Sequence, residues 1–437
     1  MNTAKTPCTT LITADYFLPQ AETAVIPNAA VAVADGRVLA FGGRGAMEDA
    51  YLPETRLDMG ECLLMPGLVN GHTHASMTLL RGIADDLPLL VWLTEHIFPR
   101  EKKLDPELIR LGASLACAEM TRFGVTAFAD MYLAENAVFE AVEAAGLRML
   151  GGEGIFAFPS PGYDTEEEAF ALLRDQAARW KSHPRIRVAV MPHAVYTTTP
   201  ELLARCRDTA EELGLSIQIH LAETAHETNE CLKTQGKTPL RYCAGLGLVT
   251  NRTTIAHGVV FDDEELDLLA QNGACVVHCP RSNMKLASGI ARVPAMLARN
   301  IPVALGTDGA ASSNNLNMFA EMTAAALLHK VNEADPTVVA ARTAIKMATL
   351  NGARALHWPG LGEITEGGMA DIIAVDMAAP HMQPAHSPTS NLVYAATGTE
   401  VRMTMVDGAV LYKDGEYAKH DIKELREKVR RAAARIQ

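Results

Sequence analysis

A chain of 437 residues, 48% hydrophobic and 21% charged, is long enough for one large domain and a smaller one, and its ordinary globular composition excludes long disorder. Its 39 basic against 52 acidic residues leave a net charge of -13, which repels phosphate backbones and anionic lipid. Nucleic acid and membrane surfaces are therefore poor partners, and a small-molecule enzyme fits better. The eight cysteines are scattered, Cys275 and Cys279 lack a second pair to complete a zinc site, and the start of the chain has no basic segment followed by an apolar run, so a reduced, cytoplasmic protein is expected.

Residues 9–13, 30–34 and 38–41 read as short strands separated by Asp35-Gly36 and Gly42-Gly43 turn signals. From His72 onward short apolar runs alternate with amphipathic segments, the signature of βα units. Eight such runs occur, at residues 63–69, 125–131, 148–155, 186–191, 216–219, 253–256, 274–277 and 302–305, with helical spacing between them in 106–123, 166–181, 200–213 and 262–272. Eight strands close a TIM barrel. The first connection, with Asp85-Asp86, Trp92 and Glu101-Lys102-Lys103, is unusually long and reads as a lid over substrate. Strand patterns return after Gly367-Gly368, with a hairpin signal at Asp407-Gly408, and Ile422, Leu425, Val429, Ala432 and Ile436 give the last helix one apolar face for packing on a neighbour. The expected architecture is α/β: a (β/α)8 TIM barrel over residues 61–368, and a small β-sandwich built from residues 1–60 and 369–437, with the terminal helix in the last segment.

Reactive side chains fall at the carboxyl ends of the expected barrel strands. Met65-Pro-Gly-Leu-Val-Asn-Gly-His72-Thr-His74 ends strand one with two imidazoles that an extended chain points to one side. Alone, such a pair is more often packed or hydrogen-bonded than metal-bound. Strand four ends in His193, strand five in His220, strand six in His257 and strand eight in Asp308. His72, His74, His220 and Asp308 can surround one divalent ion with nitrogen and oxygen ligands. A bridging lysine at strand four, which a two-metal barrel usually needs, is missing from Val188-Ala-Val-Met-Pro-His193, so one metal per chain is expected. Glu223, on the loop beyond His220, is placed to carry a proton. His257 reads as a strand-end histidine bonded to backbone or as the group that steadies the attacking oxygen. His226-Glu227-Thr-Asn-Glu230 begins like a zincin helix but lacks the second histidine, and His278-Cys279-Pro280 does not supply the cytidine-deaminase zinc signature.

Pro66-Gly-Leu-Val-Asn-Gly-His-Thr-His74, Trp92 with Glu101, Pro192-His193, His220-Leu-Ala-Glu223-Thr, His278-Cys-Pro-Arg-Ser-Asn283 and Gly306-Thr-Asp-Gly309-Ala-Ala-Ser312 together resemble the amidohydrolase superfamily, in its branch of 5-methylthioadenosine/S-adenosylhomocysteine deaminases. The resemblance implies zinc held by His72, His74, His220 and Asp308. It implies that Glu223 meets the purine ring, Glu101 takes the ribose hydroxyls, Trp92 walls the pocket and His193 contacts the nucleoside. The implied reaction is hydrolytic deamination of an adenine nucleoside at C6, with Glu223, His257 and Asp308 as the catalytic groups. Guanine, a pterin, a triazine or a cyclic amide are alternative substrates, and a non-catalytic assembly protein is a further alternative. A homo-oligomer is expected. Arginines beyond strand three that would hold the carboxylate of S-adenosylhomocysteine are absent from residues 151–163, which offer Phe156, Phe158 and Pro159, with Glu153 set to repel a carboxylate if it faces the pocket.

Overall fold

The computed structural model describes residues 5–436. The amino-terminal part folds as β1 (Thr6–Phe17), β2 (Ile26–Ala34), β3 (Arg37–Gly43), β4 (Tyr51–Asp58) and β5 (Cys62–Pro66). Eight parallel strands follow: β6 (Leu68–Thr73), β7 (Val125–Tyr132), β8 (Arg148–Ile155), β9 (Ile186–Pro192), β10 (Ser216–Leu221), β11 (Thr253–His257), β12 (Cys275–His278) and β13 (Val303–Leu305). The chain ends with β14 (Ile372–Asp376), β15 (Val401–Val406), β16 (Ala409–Lys413), β17 (Glu416–Tyr417) and the helix Ile422–Ile436.

Strands β6 to β13 pair in consecutive order with helices between them, as a (β/α)8 barrel requires. The other nine strands form one mixed sheet drawn from both chain ends, in the order β17-β16-β15-β14-β5-β1-β2-β3, with β4 on β1. Its strands alternate as the pleat dictates. Ile372 and Ala374 enter a core with Ile12, Val31 and Met403, while Ile373 and Val375 face the core shared with the barrel helices.

That alternation corrects one expectation. Leu63, Leu64 and Met65 belong to β5, which pairs with β1 and β14 and not with a barrel strand. A strand covered on both faces is apolar without a break, which is also how a barrel strand reads, so the sequence pattern could not separate the two. The switch between sheets is Gly67, where a Cβ would lie 2.1 Å from Thr126 Oγ1. Only glycine passes so close to β7.

The barrel closes at the seam between β6 and β13 through a side chain. Asn70 Oδ1 accepts from Thr307 N at 3.0 Å and its Nδ2 donates to Thr307 Oγ1 at 2.7 Å, and the Asp308 N–H donates to His72 O at 3.0 Å. The βα loops end in capping residues: Thr165 and Asp262 complete capping boxes with Glu168 and Glu265, and Asp105, Thr199 and Thr224 accept from Leu108, Leu202 and Glu227.

The long first connection carries π-helical turns at Trp92–Ile97, a geometry concentrated at functional sites, between helical segments Leu89–Val91 and Phe98–Glu101. The terminal helix buries Leu425, Ala432 and Ile436 and packs against the helix Pro106–Arg122, with Arg435 paired to Asp105 at 2.9 Å. No helix among the described residues is long and apolar enough to cross a membrane. Asn70→Ala removes the two side-chain hydrogen bonds across the barrel seam, leaves the one from Asp308 N–H to His72 O, and strands the Thr307 N–H buried without that partner. It should cost about 2–4 kcal/mol, read as a lower midpoint of denaturant unfolding.

Candidate active site

The carboxyl ends of the barrel strands bring His72, His74, His193, His220, His257 and Asp308 together under the lid. His74 Nε2 lies 3.3 Å from Asp308 Oδ1 and 3.3 Å from His220 Nε2, and His72 Nε2 lies 3.7 Å from Asp308 Oδ1. The rings of His72 and His220 are 4.7 Å apart. Hydrogen bonds on the far side of each ring decide what this cluster can do.

Gln218 Nε2 donates to Gly71 O at 3.1 Å, so its Oε1 is the atom that accepts from His72 Nδ1 at 2.9 Å. The carbonyl of Met131 accepts from His74 Nδ1, and that of His193 from His220 Nδ1 at 2.8 Å. Each ring thus carries its proton on Nδ1 and turns a bare Nε2 lone pair inward. Burial, then the neighbouring His74, push His72 down to about 3, and burial holds His220 well below its usual range, so both are neutral at physiological pH.

A divalent cation fits this arrangement. His72 Nε2 is buried and has no hydrogen-bond partner among the described residues, and the bare nitrogens of His74 and His220 face each other at 3.3 Å. Two imidazole nitrogens on one zinc ion, at ~2.0–2.1 Å each and near a tetrahedral angle, stand about 3.4 Å apart. His72, His74 and Asp308 offer ligand atoms within 4.8 Å of one another, and so do His72, His220 and His257. The tautomers favour the first grouping joined by His220. Asn283 Nδ2 donates to His257 Nδ1 at 3.1 Å, which leaves the proton on His257 Nε2 and makes that atom a donor.

The same Nε2–H faces Glu223 Oε2 at 3.9 Å. Burial raises the Glu223 carboxyl above its ordinary value, opposed by His257 and reinforced by Asp308. Ser288 Oγ donates to its other oxygen at 3.2 Å. Burial also works against the Asp308 carboxylate, but His74, His257, His72 and the Ser282 hydroxyl outweigh it and keep Asp308 ionised. Ser282 and Ser312 both donate to Asp308 Oδ2, at 2.6 and 2.9 Å.

The backbone is bent to aim these groups. Ala222, His257 and Asp308 adopt left-handed φ of 53°, 71° and 59°, conformations that non-glycine residues hold only under constraint. For Ala222 and Glu223 the constraint is Glu227, whose carboxylate accepts from both amides at 2.9 and 2.7 Å. Burial drives Glu227 up to about 7.

A cavity adjoins the cluster, lined by Trp92, Glu101, Tyr132, Phe156, His193 and Tyr196 among others. Trp92 is buried in its wall and Glu101 stands at its lid side, where burial raises its carboxyl against the opposing Tyr132 phenol. His193 Nδ1 bonds to Thr197 Oγ1 at 2.9 Å, which leaves Nε2 to the cavity. No arginine or lysine lies among its described lining residues. Two expectations for the third loop change. Phe158 is 46% exposed and lies outside the lining, and Glu153 is turned away from the pocket, its two oxygens accepting from Ala134 N and Glu135 N at 2.8 and 2.7 Å. Of the residues that sequence reasoning gave no role, Gln218 could have been found from the strand period, since it stands two before His220 on the same face. Ser282 and Asn283 come from the short helix Pro280–Lys285 and Ser288 from the loop after it, segments too short to show a period.

The model of the amidohydrolase family matches residues 63–411. A curated protein of Nitratidesulfovibrio vulgaris, named 5-methylthioadenosine/S-adenosylhomocysteine deaminase, is 58% identical over 427 residues, covering 98% of this chain and 97% of its own. Its namesake from Lawsonia intracellularis is 46% identical, with the same coverage. A crystal structure of an adenosine deaminase from Xanthomonas campestris with bound zinc superposes with a TM-score of 0.97 at 37% identity over 99% of both chains. If the inward lone pairs hold one ion, purified protein carries about one equivalent of metal by elemental analysis, and His220→Ala loses most of it; two tightly held equivalents would contradict the arrangement.

Proposed function

The chain belongs to the amidohydrolase family, and from that premise we infer that it is a zinc-dependent aminohydrolase that converts an adenine nucleoside and water to the hypoxanthine nucleoside and ammonia. The observation that carries this reading is the meeting of three inward imidazole lone pairs and an ionised Asp308 with a buried Glu223 at the end of one cavity. Relatives at 58% and 46% identity carry the same activity in their names.

We propose His72, His74, His220 and Asp308 as the ligands. When bound, the ion supplies Lewis acidity that makes a nucleophilic oxygen available at neutral pH. Glu223 gives its proton to the ring nitrogen beside C6, so that electron density arriving at C6 has somewhere to go. His257 Nε2–H donates to the incoming oxygen, and Asp308 accepts its proton as the C–O bond forms. That proton passes to the amino group, the C6–N bond breaks and ammonia leaves from the tetrahedral carbon, while the second proton of the water restores Glu223. Glu101 accepts from the ribose hydroxyls, Trp92 closes the apolar wall and His193 Nε2 offers an acceptor to the nucleoside.

Cytoplasmic location and homo-oligomeric assembly belong to the same proposal. Eight buried, unpaired cysteines suit a reducing compartment. Leu327 and Val331, one turn apart and 50% and 82% exposed on the helix Met318–Glu333, suit a subunit contact.

Glu223→Gln keeps the shape but cannot shuttle a proton. It should retain metal and lose about 10²- to 10⁴-fold in kcat, and a variant within a few-fold of the parent would place the proton elsewhere. Among the described residues the cavity lining offers no cation for an amino-acid carboxylate, so methylthioadenosine or adenosine should exceed S-adenosylhomocysteine in kcat/KM by about tenfold. That is roughly the worth of one charge-assisted contact. Steady-state ammonia release from the three nucleosides decides it, and a preference for S-adenosylhomocysteine would reveal a carboxylate partner outside this cavity.

A further inference from the structure

Beneath His74 lie three buried acids that the reaction does not use: Asp130, Glu135 and Glu153, each 2% exposed or less. Glu153 has a structural task, since it receives the amides that open the helix Glu135–Ala145. The other two have no such explanation. Neither makes an ion pair with a lysine or arginine among the described residues, and a buried carboxylate without a partner is costly.

Their geometry points at His74. The end of β7 runs beside the His-x-His segment, and three consecutive residues of one hold three consecutive residues of the other. The Thr73 hydroxyl lies 2.8 Å from Ala129 O and 2.6 Å from Asp130 Oδ1. The Ala75 N–H donates to the same Asp130 Oδ1 at 2.6 Å, and the Met131 carbonyl takes the Nδ1 proton of His74. One carboxylate oxygen therefore straddles His74 by its two chain neighbours. Asp130 Oδ2 meets neither amide nor hydroxyl and has the carboxyl of Glu135 against it. Two carboxylates in contact in a dry interior cannot both be ionised, so a proton lies between them. Asp130 already accepts two donors and Glu135 accepts none, so Glu135 holds the proton and donates it to Asp130 Oδ2. Room for Glu135 comes from Gly151, where a Cβ would stand 3.1 Å from Glu135 Oε1.

We propose that Asp130, held by a hydrogen bond from the carboxylic acid of Glu135, is a positioning residue that fixes the His74 imidazole at the metal site. The proposal rests on the reading of His74 as a ligand. It separates the two acids by chemistry. Asp130 must be an anion, whereas Glu135 is already a neutral donor, and an amide can replace it.

The test withdraws zinc from purified holoenzyme with graded chelator while circular dichroism follows the fold. Asp130→Asn should release zinc about 10- to 100-fold more readily, the range for groups that orient a ligand, with unchanged dichroism and a fall in kcat at constant KM. Glu135→Gln should stay within about threefold of the parent, and Glu135→Leu should approach Asp130→Asn. Zinc held as tightly by Asp130→Asn as by the parent, or Glu135→Gln as damaging as Asp130→Asn, would overturn the proposal. If Asp130→Asn does not fold, Thr73→Val decides, because it removes only the hydroxyl donor: zinc retention equal to the parent overturns the proposal and weakened retention supports it. A parent enzyme that holds no zinc at all would strike instead at the reading of the site.

Discussion

The site depends on which nitrogen of each histidine carries the proton, and that is settled by oxygens outside the cavity. Gln218 Oε1, Met131 O and His193 O each take an Nδ1 proton, so three Nε2 lone pairs converge. Two of the three acceptors are main-chain carbonyls at the ends of β7 and just beyond β9, fixed by the barrel itself. A substitution at those positions would leave the carbonyl in place. The third, Gln218, is a side chain locked by its own bond to Gly71 O. His257 obeys the opposite rule because its neighbour, Asn283, is a donor, and the difference makes a proton donor out of the fourth imidazole. Identical side chains thus take two roles through one hydrogen bond each.

Holding that arrangement is costly, and the cost is met by buried carboxylates that never touch substrate. Left-handed backbone at Ala222, His257 and Asp308 is unfavourable for any residue with a Cβ. Glu227 ties down the turn at Ala222, Glu153 the turn at Ala134, and Asp130 the amide after His74. Each accepts more than one donor, which is what lets a carboxylate stay in a dry interior without a cation. Burial nonetheless lifts Glu227 and Glu153 to about 7 and Asp130 to about 6. Because these values lie above those of the same groups in an open chain, holding them ionised costs most at and above neutrality, and that cost is relieved as they take up protons in mild acid.

The barrel, the two-ended sheet and the cavity-facing residues were legible because period and position carry them. A parallel strand buried on both sides is a continuous apolar run, and the residue that ends it faces the cavity, so His72, His220, His257 and Asp308 could be placed by counting strands. The same rule misled at Leu63 to Met65, since β5 is also covered twice, by its own core and by the barrel helices. What lay beyond reach were contacts without a period: Asn283 on His257, Ser282 and Ser312 on Asp308, and Asp130 under His74. The sequence could place Glu153 on β8 but not say which way it turns, because two amides of a neighbouring loop decide that.

Both chain ends bear on the site through the barrel's first connection. The mixed sheet packs by Leu63, Met65, Ile373 and Val375 into the core that also contains Trp92, Ile97 and Leu104 of the lid. The terminal helix lies on the helix Pro106–Arg122 that follows the lid, with Arg435 on Asp105, the residue that caps that helix. Removing the last turn would free Asp105 of its cation and uncover the apolar face beneath Ile436, while leaving the barrel strands and their histidines untouched. Glu101 sits four residues before Asp105, so such a truncation should act on nucleoside binding first and on the metal hardly at all. The measurement is KM against zinc content in a chain ending at Arg431, with a raised KM and unchanged zinc as the expected pair.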